Sequence, residues 1–363
     1  MSAESEAIRP AVLSPDAWQP ERFFVGGRKK VIIDTDPGID DAMAIMLAFQ
    51  SPELEVVGLT TTFGNVPTAM ATRNALCLRE VAGMAHVPVA QGERVALKGE
   101  EKQRIADFVH GSDGLGNINT SPPNGHAIDM GAAEFMVKMA RENPGQITVI
   151  ALGPLTNVAK AIEQDPEFVK NVAQIIVLGG AFFVNGNVNP AAEANVYGDP
   201  DAADAVFISG ADIIVIGLNV TTQMLMTEED LNHLRDDGGP VGEFLHKAAQ
   251  FYLQYHRDYY DMNAIYVHDP TTILAAIDPS VFTLKTGAVR VITEGRFKGT
   301  TLMNALGTKR WNSVTEWCGK PPIKVAFGVD SQRGMQVIKD RLMKMWSGYN
   351  GVSNSEGITD NGN

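Results

Sequence analysis

Apolar residues in this chain follow two spacings that take turns. Short apolar or β-branched runs at Val31 to Ile33, Glu55 to Thr61, Val87 to Ala90, Ile147 to Ala151, Ala173 to Leu178 and Asp212 to Gly217 read as strands. Between them, Asp41 to Gln50, about Pro67 to Ala82, Asp129 to Glu142 and a segment from about Thr156 carry apolar residues three or four apart, the period of helices buried on one side. Strands alternating with helices predict an α/β fold with an open, mainly parallel central sheet and helices on both faces. Segments 227–236 and 240–258 are helical in succession and break the alternation, which predicts a small helical cap near the active site. A short helix after His268-Asp269-Pro270, β-rich sequence from Val281 to Thr293 and a last helix near 331–346 complete the pattern. Residues 95–126 and 181–199 read as long loops, the first too rich in glycine and charge to be a plain linker.

Outside that pattern, residues 1–28 are polar, carry Pro10, Pro15 and Pro20 and end near Gly26-Gly27, as a flexible arm would. Residues 347–363, mostly Ser, Asn and Gly, predict a disordered tail, which leaves 29–346 as one domain. The 363 residues are 44% hydrophobic, enough for a sizeable core, and the net charge of −13 with no basic run beyond Arg28-Lys29-Lys30 argues against a nucleic-acid partner. No apolar run approaches membrane-span length, so no membrane partner is expected. Two cysteines, Cys77 and Cys318, make no disulfide framework and suit the cytosol.

Candidate chemistry collects where the strands end. In an open parallel sheet ligands bind beyond the carboxyl ends of the strands, and there this chain sets Asp36, Asn65, Leu152-Gly153, Asn187 to Asn195, Asn219 and, after the cap helices, His268-Asp269. The densest stretch is Asp34-Thr35-Asp36-Pro37-Gly38-Ile39-Asp40-Asp41, with four carboxylates in eight residues. Strand alternation sets Asp34 and Asp36 on one face, and Asp40 and Asp41 open a helix whose dipole favours anions. Like charges about 4 Å apart repel by roughly 4 kcal/mol at an effective dielectric near 20. Such a group must hold protons or a cation, and an all-oxygen set suits Ca²⁺ or Mg²⁺ better than zinc.

Taken singly, each residue also has a plainer reading. Asp40 caps a helix, Asn65 serves a turn, Glu193 is a solvated loop acid, Asn187, Asn189 and Asn195 serve turns, and His268 opens a helix. Tyr252, His256, Tyr259 and Tyr260 fall about one helical turn apart, as packing residues do. Gly111, Gly114 and Gly116 match no dinucleotide or phosphate-loop fingerprint. Jointly, the set points to one polar crevice.

Together with the aspartate stretch, five segments in order complete a resemblance: Thr61-Thr62-Phe63-Gly64-Asn65, His110 to Gly116, Ala151-Leu152-Gly153-Pro154-Leu155-Thr156-Asn157, Asn187 with Glu193-Ala194-Asn195, and Val267-His268-Asp269-Pro270. The chain from about Lys30 to Lys344 is similar to the inosine/uridine-preferring nucleoside hydrolases. The resemblance implies a Ca²⁺ ion held by Asp36, Asp41, the Leu152 carbonyl and Asp269, with Asp34 supporting the metal loop. It implies ribose contacts from Asp40, Asn65, Asn187, Glu193 and Asn195, and base contacts from His110, Tyr252 and His256. The reaction it implies is hydrolysis of the ribose–base bond by a water that Asp36 deprotonates, with His268, or for a uracil leaving group His256 or a tyrosine of the cap segment, assisting the departing base, and a homo-oligomer, dimer first and tetramer second, as the assembly. Ala194 and Asn304 stand where many members have Phe and Asp, as in the plant-type branch that favours uridine and xanthosine or inosine.

Two rivals use the same residues differently. A Mg²⁺ phosphohydrolase would take Asp34 as nucleophile, but Gly38 stands where such enzymes place Thr or Val. A non-catalytic nucleoside-binding protein would keep the fold and bind without turnover.

Overall fold

Val31, Ile32 and Ile33 have no exposed surface, as a strand covered on both faces requires. They lie at the centre of a computed structural model that describes residues 27–100, 105–305 and 313–344. Its strands are β1 Lys29–Thr35, β2 Leu54–Thr61, β3 Val89–Gln91, β4 Ile147–Ala151, β5 Gln174–Leu178, β6 Ile213–Ile216, β7 Leu225–Thr227, β8 Ala264–Tyr266, β9 Phe282–Val291, β10 Thr301–Ala305 and β11 Ile323–Val329. Its helices are α1 Ile39–Gln50, α2 Thr68–Val81, α3 Asp107–His110, α4 Ala132–Glu142, α5 Thr156–Gln164, α6 Phe168–Asn171, α7 Ala194–Gly198, α8 Pro200–Phe207, α9 Leu218–Thr221, α10 Glu228–Asp237, α11 Gly239–Tyr260, α12 His268–Ile277 and α13 Ser331–Leu342.

Nine strands form one open sheet in the order β10-β9-β11-β6-β5-β4-β1-β2-β3. Strand β9 is antiparallel to both its neighbours, while the ladders from β11 to β3 are parallel. Alternation along β1 feeds two cores. Val31 and Ile33 join α1, α2, α12 and α13 on one face, and Ile32 joins α4, α5 and α8 on the other. The mainly parallel sheet with helices on both faces is thus the observed architecture. Helices α10 and α11 lie against each other, and α11 also contacts α1, α3 and β8.

Several elements differ from the sequence reading. Strands β10 and β11 were not expected; β11 docks in parallel beside β6 and extends the sheet past its parallel core. Strands β7 and β8, three residues each, form a separate antiparallel ribbon too short to leave a periodic trace. The two long loops contain helical turns, α3 in the first and α7 in the second. The expected arm, apart from residues 27 and 28, and the expected tail lie outside the described residues.

Candidate active site

The turn from β1 into α1 is held by its own side chains. Asp41 accepts from Thr35 Oγ1 at 2.5 Å, Gly38 N at 3.0 Å and Asn65 Nδ2 at 2.9 Å. The Gly38 bond caps the helix start, where free backbone N–H groups favour an acid. Asn65 reaches the next carboxylate too, donating its main-chain N–H to Asp36 Oδ2 at 2.6 Å. Asp36 sits between the turns that follow β2 and β4. A Cβ on Gly64 would come within 1.9 Å of Asp36 Oδ2, and one on Gly153 within 2.6 Å of Oδ1. Glycine at both positions leaves the room that Asp36 occupies.

Asp40, Asp41 and Asp269 are buried, with one oxygen from each lying within 4.8 Å of the others. They come from the first turns of α1 and α12, so two helix N-termini meet the cluster. Burial, with Asp41 alongside, pushes Asp40 up to about 7. Burial raises Asp41, and burial with Asp40 and Asp41 nearby lifts Asp269 well above the usual carboxylate range. Asp269 Oδ1 is buried without a hydrogen-bond partner among the described residues. Crowded oxygens, raised affinity for positive charge and an unused buried acceptor fit a hard divalent cation. The Leu152 carbonyl, at the end of β4, accepts from Asn195 Nδ2 at 2.6 Å.

Asp34 stands apart from this cluster. It lies within β1 opposite Thr60 of β2, and its Oδ1 accepts from Thr60 Oγ1 at 2.6 Å and Asn157 Nδ2 at 2.8 Å. Burial raises it to about 7 against those two bonds. Asn157 also donates to Thr61 O and accepts from Glu93 N, so one amide ties the ends of β1 and β2 to the chain after β3. The two residues expected to share a face have different partners: Asp34 bonds Thr60 and Asn157, whereas Asp36, one residue past the end of β1, bonds Asn65.

Glu193 is buried and caps α7, accepting from Asn195 N, Val196 N and Gly180 N. Asn195 is half-buried beside the Leu152 carbonyl. The Asn187 residue is exposed on the loop before Glu193, where its main-chain N–H bonds Ala192 O.

Aromatic rings make the opposite wall. His110 Nδ1 accepts from Ile39 N at 3.1 Å, so His110 meets the start of α1. From its ring a chain of contacts passes to Tyr252 at 5.5 Å, His256 at 4.4 Å further, Tyr266 at 5.2 Å and His268 at 5.4 Å. His256 Nδ1 donates to Tyr252 O, and its Nε2 accepts from Tyr266 N, so both ring nitrogens bind backbone. His268 Nδ1 lies 2.7 Å from Thr221 Oγ1, and burial, with His256 nearby, lowers its basicity to about 3. Tyr259 and Tyr260 are exposed, at 69% and 41%.

The fold therefore gathers Asp36, Asp40, Asp41, Asn65, Asp269 and His110 around the start of α1, sets Glu193 and Asn195 by the end of β4, and lines up Tyr252, His256 and His268. Phe108, Tyr255, Tyr266, Thr221 and Asn157 also build these walls without having been singled out by spacing. The repeated aromatics of α11 were the one available signal for Tyr255.

The family model for inosine-uridine preferring nucleoside hydrolase matches residues 31–336. A probable uridine nucleosidase 2 of Arabidopsis thaliana is 55% identical over 321 residues, 88% of this chain and 99% of that protein. Uridine nucleosidase 1 of the same plant is 51% identical over 320 residues, 88% of this chain and 95% of its own length. Among solved structures, a plant nucleoside hydrolase, the PpNRh1 enzyme, superposes with a TM-score of 0.86 at 56% identity, covering 87% of this chain and 99% of that one.

Proposed function

The chain belongs to the inosine-uridine preferring nucleoside hydrolase family and is an enzyme that hydrolyses the N-glycosidic bond of ribonucleosides, and from that premise we propose that uridine is its main substrate, with xanthosine and inosine accepted, and that calcium is its metal. Uridine is favoured by the names of the plant relatives. Asp36, Asp41, Asp269 and the Leu152 carbonyl would hold the ion. The observation that carries the reading is the buried carboxylate group of Asp40, Asp41 and Asp269, with Asp36 tied to it through Asn65. A hard divalent cation bound there would supply Lewis acidity that makes water more acidic.

Asp36 takes the proton of the attacking water as general base, its direction set by Asn65 N–H and by the two glycine turns. Asp40, Asn65, Glu193, Asn195 and Asn187 bind the ribose hydroxyls and orient the ring while positive charge grows at C1′. Glu193 already accepts three backbone N–H bonds, which hold its carboxylate in one direction. His110 and Tyr252 face the base, His256 braces Tyr252 and Tyr266, and His268 hydrogen-bonds the departing base. We take the enzyme to be a cytosolic homo-oligomer, a dimer before a tetramer; its cysteines Cys77 and Cys318 are free.

The test is release of ribose from uridine, xanthosine, inosine and adenosine by one preparation, before and after chelation and with calcium restored. Turnover should vanish on chelation and return with calcium, with uridine fastest. Full turnover by metal-free protein would end the metal assignment, and tight uridine binding without turnover would favour the binding-protein alternative.

A further inference from the structure

Thr221 ends α9, the single turn that follows β6, and has no exposed surface. Its hydroxyl departs from the local habit. Thr222 bonds back to Leu218 O and Thr271 to Val267 O, the usual outlet for threonine in a helical turn. The Thr221 hydroxyl instead meets His268 Nδ1 at 2.7 Å, across 47 positions of sequence, and has no other hydrogen-bond partner among the described residues.

That pairing bears on the tautomer. Donation to Nδ1 gives the buried O–H its one acceptor among the described residues, and with that direction Nδ1 carries the lone pair and the neutral ring keeps its hydrogen on Nε2. The Nε2 edge has no hydrogen-bond partner among the described residues, and the residue is half-buried. His256 is set the other way, donating from Nδ1 to Tyr252 O and accepting at Nε2 from Tyr266 N. Neighbouring imidazoles in one wall thus have opposite roles, one bracing the backbone and one open to a ligand.

We infer that Thr221 is a positioning residue that fixes His268 with its Nε2–H toward the departing nucleobase; this rests on the reading of His268 given above. In the step it serves, the C1′–N bond breaks with both electrons staying on the base nitrogen, and the water oxygen bonds C1′ while its proton passes to Asp36. The base leaves as an anion hydrogen-bonded to Nε2–H. It then takes a proton from solvent as Asp36 returns one, so that uridine and water give ribose and uracil.

Calcium-loaded wild type, Thr221→Val, Thr221→Ser and His268→Gln are compared on uridine and on 4-nitrophenyl β-ribofuranoside, whose aryl oxide leaves as a stable anion without help. Thr221→Val should lower kcat on uridine by roughly tenfold to a hundredfold, part of what a fixed hydrogen-bond donor to the developing anion supplies. Its KM should stay within about threefold, and its rate on the aryl riboside should be nearly unchanged. Thr221→Ser, which keeps the hydroxyl, should stay near wild type, and His268→Gln should show the same split, only larger. Equal slowing of both substrates by Thr221→Val, or no slowing, overturns the inference. If His268→Gln shows no split, the underlying reading of His268 fails first. A measurement on wild type needs no variant to fold: nitrogen NMR of histidine-labelled protein should find His268 as the Nε2–H tautomer, and an Nδ1–H form would overturn the inference.

Discussion

At the carboxylate end of the site Asp36 and Asp41 are held by donors fixed in turns, whereas at the aromatic end rings pack on one another and His110 and His256 bond backbone. Asp41 accepts from a threonine, a main-chain N–H and an asparagine, and Asp36 fits between two glycines that leave no room for a methyl group. The other wall is a run of rings 4.4 to 5.5 Å apart, drawn from α3, α11, β8 and α12. Charged hydrogen bonds in turns tolerate little displacement, while ring contacts tolerate changes of size and tilt. On the proposed assignment, the first wall meets the invariant piece of the substrate, the ribose, and the second the piece that varies, the base.

The contrast can be broken by substitution. The largest effect is expected for Asp36→Ala, which should cut kcat on uridine by roughly a thousandfold or more, while calcium still raises the melting temperature through the remaining carboxylates. Near-wild-type turnover would take Asp36 out of the chemistry. Next comes Gly64→Ala, whose methyl group would displace the Asp36 carboxylate; a drop of about a hundredfold in kcat is expected, with less from Gly153→Ala, where the approach is 2.6 Å rather than 1.9 Å. Steady-state rates at saturating calcium decide it, and an unaffected Gly64→Ala would mean the carboxylate has slack. The smallest catalytic effect belongs to His256→Ala. Losing the acceptor for Tyr266 N–H should cost about 1–3 kcal/mol of stability in denaturant titrations, with KM for uridine within about threefold. A KM raised more than about tenfold at unchanged stability would put His256 on the base instead.

The same contrast governs how much could be read without coordinates. The carboxylate end is written in contiguous stretches, because a turn, its glycines and its cap residues sit side by side in sequence. Asp36, Asp41, Asn65, Gly153 and Asp269 were all legible there, as were the parallel strands that deliver them. Asp34 lies in the same stretch, but its bonds to Thr60 and Asn157 depend on β2 and α5 and could not be read from spacing. The aromatic end was only half legible. Tyr252 and His256 announce themselves on one helix, but Phe108 waits in a single helical turn, Tyr266 in a three-residue strand and Thr221 opposite a partner 47 residues away. Strand β11 went unseen for a related reason: it returns from an antiparallel excursion to dock beside β6, and that docking is fixed by tertiary contact.

His268 and Asp269 are consecutive, at the opening of α12. One residue belongs to the aromatic wall and the next to the acidic group, so a shift of the backbone that moves the first carries the second with it. The rings of α11 have no such tether, and a change of side chain there leaves the anchoring acids where they are.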